Sequence, residues 1–209
     1  LEALNSLALI RYDHPDWAFP VVSDSSSFHY VAKNLGHPLI HDRVTNDFNL
    51  TPPQQVLLIT GSNMSGKSTF LRTAGINLVL AYAGAPVCAE SMRCSIFKVY
   101  TCMRVSDNLE KNISTFYAEI LRIKTIVEAA TRERNIFFLL DEIFKGTNSI
   151  DRHTGAQILI KRLMNEGAVG LVSTHDLELG AMEQKYAPKV KNYHFREYYV
   201  NDEIKFDYR

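Results

Sequence analysis

One octapeptide restricts this chain more than any other feature. Gly61-Ser62-Asn63-Met64-Ser65-Gly66-Lys67-Ser68 fits G-x-x-x-x-G-K-[ST], directly after an apolar run at 55–60 and directly before a helical pattern from Ser68 to about Leu80. Glycines at both ends let successive backbone N–H groups turn inward, and a helix that opens there adds the partial positive charge of its N-terminus. Such a loop cradles phosphate. The spacing predicts that Gly61, Ser62, Asn63, Met64, Ser65, Gly66, Lys67, Ser68 and Thr69 line a bound nucleotide, that Lys67 reaches its β- and γ-phosphates, and that the Ser68 hydroxyl ligates Mg²⁺. The competing reading, a glycine-rich turn with a solvated lysine, does not account for the strand and helix on either side.

Two further apolar runs, 136–140 and 168–173, are each followed by a helical pattern, so the chain alternates strand and helix as a parallel sheet covered by helices does. The first ends in Asp141-Glu142. Asp141 is placed to hold Mg²⁺, and Glu142 to orient or deprotonate an attacking water. The second ends in Ser173-Thr174-His175-Asp176, which puts His175 on the sheet edge where open α/β folds bind ligands. Lys67, Glu142 and His175 are therefore the catalytic candidates, and Ser68 and Asp141 the metal ligands.

The remaining segments frame this core. Leu1, Leu4, Leu7, Ala8 and Arg11 have the spacing of a helix end, residues 28–32 read as a strand, and Gly36-His37-Pro38 with the polar run to Asn49 reads mostly as turn and loop. Tyr193 to Val200, the pair Asn201-Asp202, and Glu203 to Tyr208 have the pattern of an aromatic-rich β-hairpin. Ser114 is a good N-cap for a helix whose one face carries Phe116, Ile120, Ile123 and Val127. We divide the chain into residues 1–35, the end of an upstream helix with a lead-in strand, and 36–209, one nucleotide-binding domain. A start at Leu1 without methionine is expected of a piece of a longer protein.

Composition excludes several classes. With 46% hydrophobic and 22% charged residues the chain is globular, and no apolar run approaches the ~18 residues of a membrane span, which points to the cytoplasm. Lys and Arg total 23 and so do Asp and Glu, so the basic excess of a stand-alone nucleic-acid binder is missing. Cys88, Cys94 and Cys102 lack metal-ligand spacing and read as buried thiols.

Taken together these segments resemble the ATPase domain of the MutS proteins, relatives of the ABC ATPases. GSNMSGKST is similar to that family's phosphate loop, Ile113-Ser114-Thr115-Phe116-Tyr117-Ala118-Glu119 to its signature segment, and LLDEIFKGTNSIDRHTG to its Walker B and D-loop run. Ser173 to Asp176 resembles its switch-histidine segment, and Gly36-His37-Pro38 with Asn46 its nucleotide-side lead-in. The likeness runs from about Leu1 to at least Gln184. It implies a P-loop NTPase fold of the ABC-ATPase type with a mostly parallel sheet and, here, a C-terminal hairpin. It also implies a Mg²⁺-dependent ATP hydrolase that forms a homodimer, in which Ser114 acts in trans on the nucleotide of the opposite subunit and Gly146-Thr147-Asn148-Ser149 lies at the seam. ATP would then drive DNA clamping in mismatch repair or a related DNA task, with DNA held by parts of the parent protein beyond this chain. The alternative is a nucleotide-gated dimerisation module of a MutS-related protein without mismatch recognition. Three positions depart from the pattern: Ser65 stands where a glycine is expected, Asn112 stands near where a small residue often precedes the signature serine, and Glu90 stands where such ATPases frequently have a glutamine. The residue that stacks on adenine stays open, near Arg43 or Val44.

Overall fold

The computed structural model describes residues 2–25, 27–103, 115–200 and 203–207. It contains two compact units, one drawing on residues up to Pro52 and on Thr69–Ile96, the other on Pro53–Ser68 and Phe97–Asp207.

In the first unit, helix α1 (Glu2–Asp13) buries no residue. Strands β1 (Val21–Ser23), β2 (Tyr30–Leu35), β3 (Asn46–Leu50) and β5 (Ser91–Ser95) form a sheet in the order β1-β5-β2-β3, antiparallel except for β1 with β5. The polar run of residues 46–50 is thus a strand and not a loop. Phe48 and Leu50 turn inward while Asp47 and Asn49 stay exposed, so an alternation typical of a half-buried strand is carried by residues that usually mark turns. Helix α2 (Lys67–Tyr82) gives all but its first two residues to this unit, burying Leu71, Ala74, Leu78 and Ala81 at helical spacing. Buried Asn77 ties the segments around it: its amide donates to Gly36 O at 3.0 Å, and its carbonyl accepts the Cys88 N–H at 2.8 Å.

The second unit is built on six strands in the order β10-β9-β4-β8-β7-β6: β4 (Val56–Gly61), β6 (Lys98–Cys102), β7 (Ile136–Asp141), β8 (Val169–Thr174), β9 (Val190–Val200) and β10 (Glu203–Asp207). All neighbours are parallel except β9 with β10. Residues 56–60, 136–140 and 169–173 are buried throughout, so these strands read as continuous apolar runs without alternation. Helices α3 (Thr115–Arg132) and α4 (Ser149–Asn165) join one hydrophobic cluster with Val56, Leu58, Phe138, Leu140 and Val172. From α3 it takes Ile123, Ile126, Ala129 and Ala130; of the face expected in the sequence Ile123 is buried, and Val127 is partly buried against the cluster. The C-terminal hairpin is present as β9 and β10, and β9 starts earlier than its aromatic run because Val190 to Phe195 pair in parallel with β4. Its turn pair, Asn201-Asp202, lies outside the described residues. After β8 come a 3₁₀ turn (Leu177–Ala181) and the short helix α5 (Met182–Tyr186).

Register positions the site. Thr60 of β4 pairs with Thr174 of β8, and Asp141 of β7 with Ser173 of β8, so three strands end side by side and deliver residues 61–68, 141–142 and 175 to one sheet edge. Among the described residues no helix is long and apolar enough to cross a membrane.

Candidate functional site

The loop between β4 and α2 needs backbone that glycine supplies most easily. Gly61 has φ 151° and Gly66 φ 92°, and a side chain at Gly61 would lie 2.5 Å from the Phe195 carbonyl oxygen. Met64 is also left-handed, at φ 69°, and 83% exposed. The serine that replaces an expected glycine has a structural use. Ser65 is fully buried and its hydroxyl donates to Ser62 O at 2.9 Å, closing the loop on itself. Lys67 is only 3% exposed, and its ammonium donates to the carbonyl oxygens of Gly61 (3.0 Å) and Ser62. Burial pulls the Lys67 pKa below the ordinary lysine value, against the attraction of Glu142 and Asp141.

Opposite the loop stand the two carboxylates. Asp141 accepts the Ser68 hydroxyl at 2.8 Å and, on the same oxygen, the Ser173 hydroxyl. Glu142 has φ 48°, and its N–H donates to Ser173 O at 3.0 Å. Three basic side chains face its carboxylate: Lys145, which bonds it directly, Lys67 at 3.7 Å and His175 Nδ1 at 3.9 Å. Burial raises the Glu142 carboxyl, but the Lys145 bond and charge, then Lys67 and His175, outweigh it and hold it below the usual carboxylate range. His175 is 39% exposed, and Asp176 beside it bonds His153 of α4 at 2.7 Å. Ser68, Asp141, Glu142, Lys145, Arg152 and His175 line one cavity of about 970 Å³.

The structure therefore brings together Gly61, Ser62, Asn63, Met64, Ser65, Gly66, Lys67, Ser68, Asp141, Glu142 and His175. Thr69 follows on α2 but belongs to the first unit, where its carbonyl accepts the Thr73 hydroxyl. Glu90 is bound by Lys33 and Asn34 of that same unit, each at 2.8 Å. Ser114, with Asn112 and Ile113, lies outside the described residues, and α3 is described from Thr115 on. At the expected seam, Asn148 caps α4: its side chain accepts the Asp151 N–H at 2.9 Å and donates to the Asp151 carboxylate at 2.7 Å. Sequence reasoning assigned no role to Lys145, Ser173, Glu119 or Arg152. The i,i+3 spacing of Glu142 and Lys145 was a usable signal, whereas Glu119 meets this site only through tertiary structure.

The family model for MutS domain V matches residues 57–209. The chain belongs to the MutS domain V family. It is 34% identical over 99% of its length to the DNA mismatch repair protein MutS of Geobacillus sp. (strain WCH70), and 31% identical over all of it to that of Aquifex pyrophilus. The DNA mismatch repair protein MSH3 of Vanderwaltozyma polyspora is 37% identical over 79% of the chain. The chain spans about a quarter of the two MutS proteins and 17% of MSH3. The MutS match includes the loop at residues 61–68, the Asp141-Glu142 strand end and the His175 segment.

Proposed function

We propose that this MutS domain V chain is a P-loop ATPase of the ABC type that binds and hydrolyses ATP with Mg²⁺. The observation that carries the reading is the convergence of Lys67, Ser68, Asp141, Glu142 and His175 on one sheet edge, next to a loop whose glycines open its backbone. The donor set fits the ion, since a hydroxyl and a carboxylate already in hydrogen-bond contact make an all-oxygen pair suited to magnesium. Bound there by Ser68 and Asp141, Mg²⁺ would neutralise charge on the β- and γ-phosphates.

The residues divide the remaining work. Lys67 now donates to the loop's own carbonyls, and a phosphate in the cradle gives its buried ammonium an anionic acceptor instead. Glu142, ionised at neutral pH, orients the attacking water and takes its proton. His175, close to Glu142 and partly exposed, donates to the γ-phosphate. Positive groups on one side leave the far side of the transferring phosphoryl group without donors. A homodimer in which Ser114 completes the opposite site supplies them. In the parent protein, by likeness to the mismatch repair proteins above, ATP would control a clamp on DNA held by other parts, and three buried thiols suit a reducing compartment such as the cytoplasm.

The test combines two substitutions. Lys67→Ala should abolish binding of a fluorescent ATP analogue, and Ser114→Arg should abolish turnover while leaving binding intact. Mixing the two variants rebuilds one complete site per hybrid dimer and should restore activity. Unchanged affinity in Lys67→Ala would end the P-loop reading. Should mixing restore nothing, with dimers confirmed and single-site turnover shown in a covalently linked control, the trans role of Ser114 is wrong.

A further inference from the structure

The turn that carries Glu142 is held in backbone that its residues rarely adopt. Glu142 and Phe144 have φ values of 48° and 62°, and neither is a glycine or asparagine. Such conformations persist only where neighbouring contacts over-determine them. Here two contacts come from one face of the first two turns of α3. The Glu119 carboxylate accepts the N–H of Phe144. Three residues earlier, Phe116 lies so close to Gly146 that a Cβ added there would fall 2.8 Å from Phe116 Cβ and Cδ2. From the other side, a Cβ at Gly155 of α4 would meet the Phe144 ring at 3.4 Å, so that ring is packed as well. Burial raises the Glu119 carboxyl, and the Phe144 N–H acts in the opposite direction.

We propose that Glu119 is a positioning residue for Glu142. By holding the Phe144 N–H it fixes the left-handed turn that aims the Glu142 carboxylate, and it joins the beginning of α3 to the end of β7 within one subunit. The Glu142 carboxylate sits among Lys67, Lys145 and His175, and a turn released at Phe144 lets it swing away from all three. What Glu119 must supply is an acceptor oxygen, and an amide oxygen does this as well as a carboxylate. The effect on turnover rests on the ATPase reading above; the clamp itself belongs to the fold.

The experiment uses the full-length protein and compares the parent with Glu119→Gln and Glu119→Ala. It measures hydrogen exchange at the Phe144 amide, steady-state ATP turnover and KM for ATP. The parent and the Gln variant should protect Phe144 alike and turn over within about threefold of each other. The Ala variant should lose at least tenfold in Phe144 protection and about 10²-fold in kcat, with KM within about threefold because Lys67 and Ser68 are untouched. Glu119→Leu, similar in length and without an acceptor, gives the same comparison if the Ala variant does not fold. The proposal is overturned if Phe144 protection survives in Ala or Leu, if Gln loses as much as Ala, or if the loss lies in KM alone. A parent without turnover counts against the ATPase reading, and the exchange measurements still decide the clamp.

Discussion

Gly146→Ala isolates one contact of the turn after β7, and its sign can be worked out in advance. A methyl at this position would sit 2.8 Å from Phe116 Cβ and Cδ2 and 2.9 Å from Cγ, closer than real Cβ contacts come, so the ring or the start of α3 has to move. Overpacking of this kind costs about 1–3 kcal/mol. Against it, replacing glycine at a compatible φ removes unfolded-state freedom and stabilises by about 0.4–1 kcal/mol. Gly146 is not among the left-handed glycines, so the second effect operates here. The clash wins in the parent background, and net destabilisation should be on the order of 1–2 kcal/mol. At roughly 2–4 °C per kcal/mol for a chain of this size, the melting temperature falls by several degrees. In a Phe116→Ala background the Cγ and Cδ2 contacts are gone while the Cβ contact at 2.8 Å stays, so the same substitution should cost measurably less than in the parent. Calorimetry on the four members of this cycle measures the difference. An equal effect of Gly146→Ala in both backgrounds would refute the packing argument, because coupling between residues in contact is the quantity the cycle isolates.

Other expectations follow from the site. Glu142→Gln should retain ATP binding and lose turnover, and turnover at the parent rate in single-turnover kinetics would transfer the proton-accepting role elsewhere. Because the Glu142 carboxyl is held low, its stabilisation is present above the usual carboxylate range and is lost as pH falls through the lowered folded value. Lys145→Met leaves the burial and removes the largest opposing charge, so the carbon-13 titration midpoint of Glu142 should rise; an unmoved midpoint would refute the pairing. Cys88, Cys94 and Cys102 are buried, and burial pushes the thiols of Cys94 and Cys102 up to about 11. A chromogenic disulfide reagent at pH 8 should therefore find these three unreactive in the native protein and all of them reactive in denaturant.

How much of this was legible depends on whether the information is local. Strands β4, β7 and β8 could be read directly, since burial on both faces writes each as an unbroken apolar run, and the parallel alternation that joins them places their ends together. The sequence pattern alone therefore puts Lys67, Asp141, Glu142 and His175 at the same end of the sheet. Strand β3 was hidden because its exposed positions carry Asp47 and Asn49, whose turn preference is overridden by pairing with β2 and burial of Phe48 and Leu50. Strands β5 and β6 were hidden for a related reason, with Arg93 and Lys98 on exposed positions of five-residue segments. The hold on Glu142 was the least legible part. Nothing in the identities of Glu142 and Phe144 announces a left-handed turn, and the acceptor that stabilises it is 25 residues away on another helix. Local preference opposes that backbone, so it exists only because tertiary contacts outweigh the preference, and this is where conflict between sequence pattern and structure is expected to mark function.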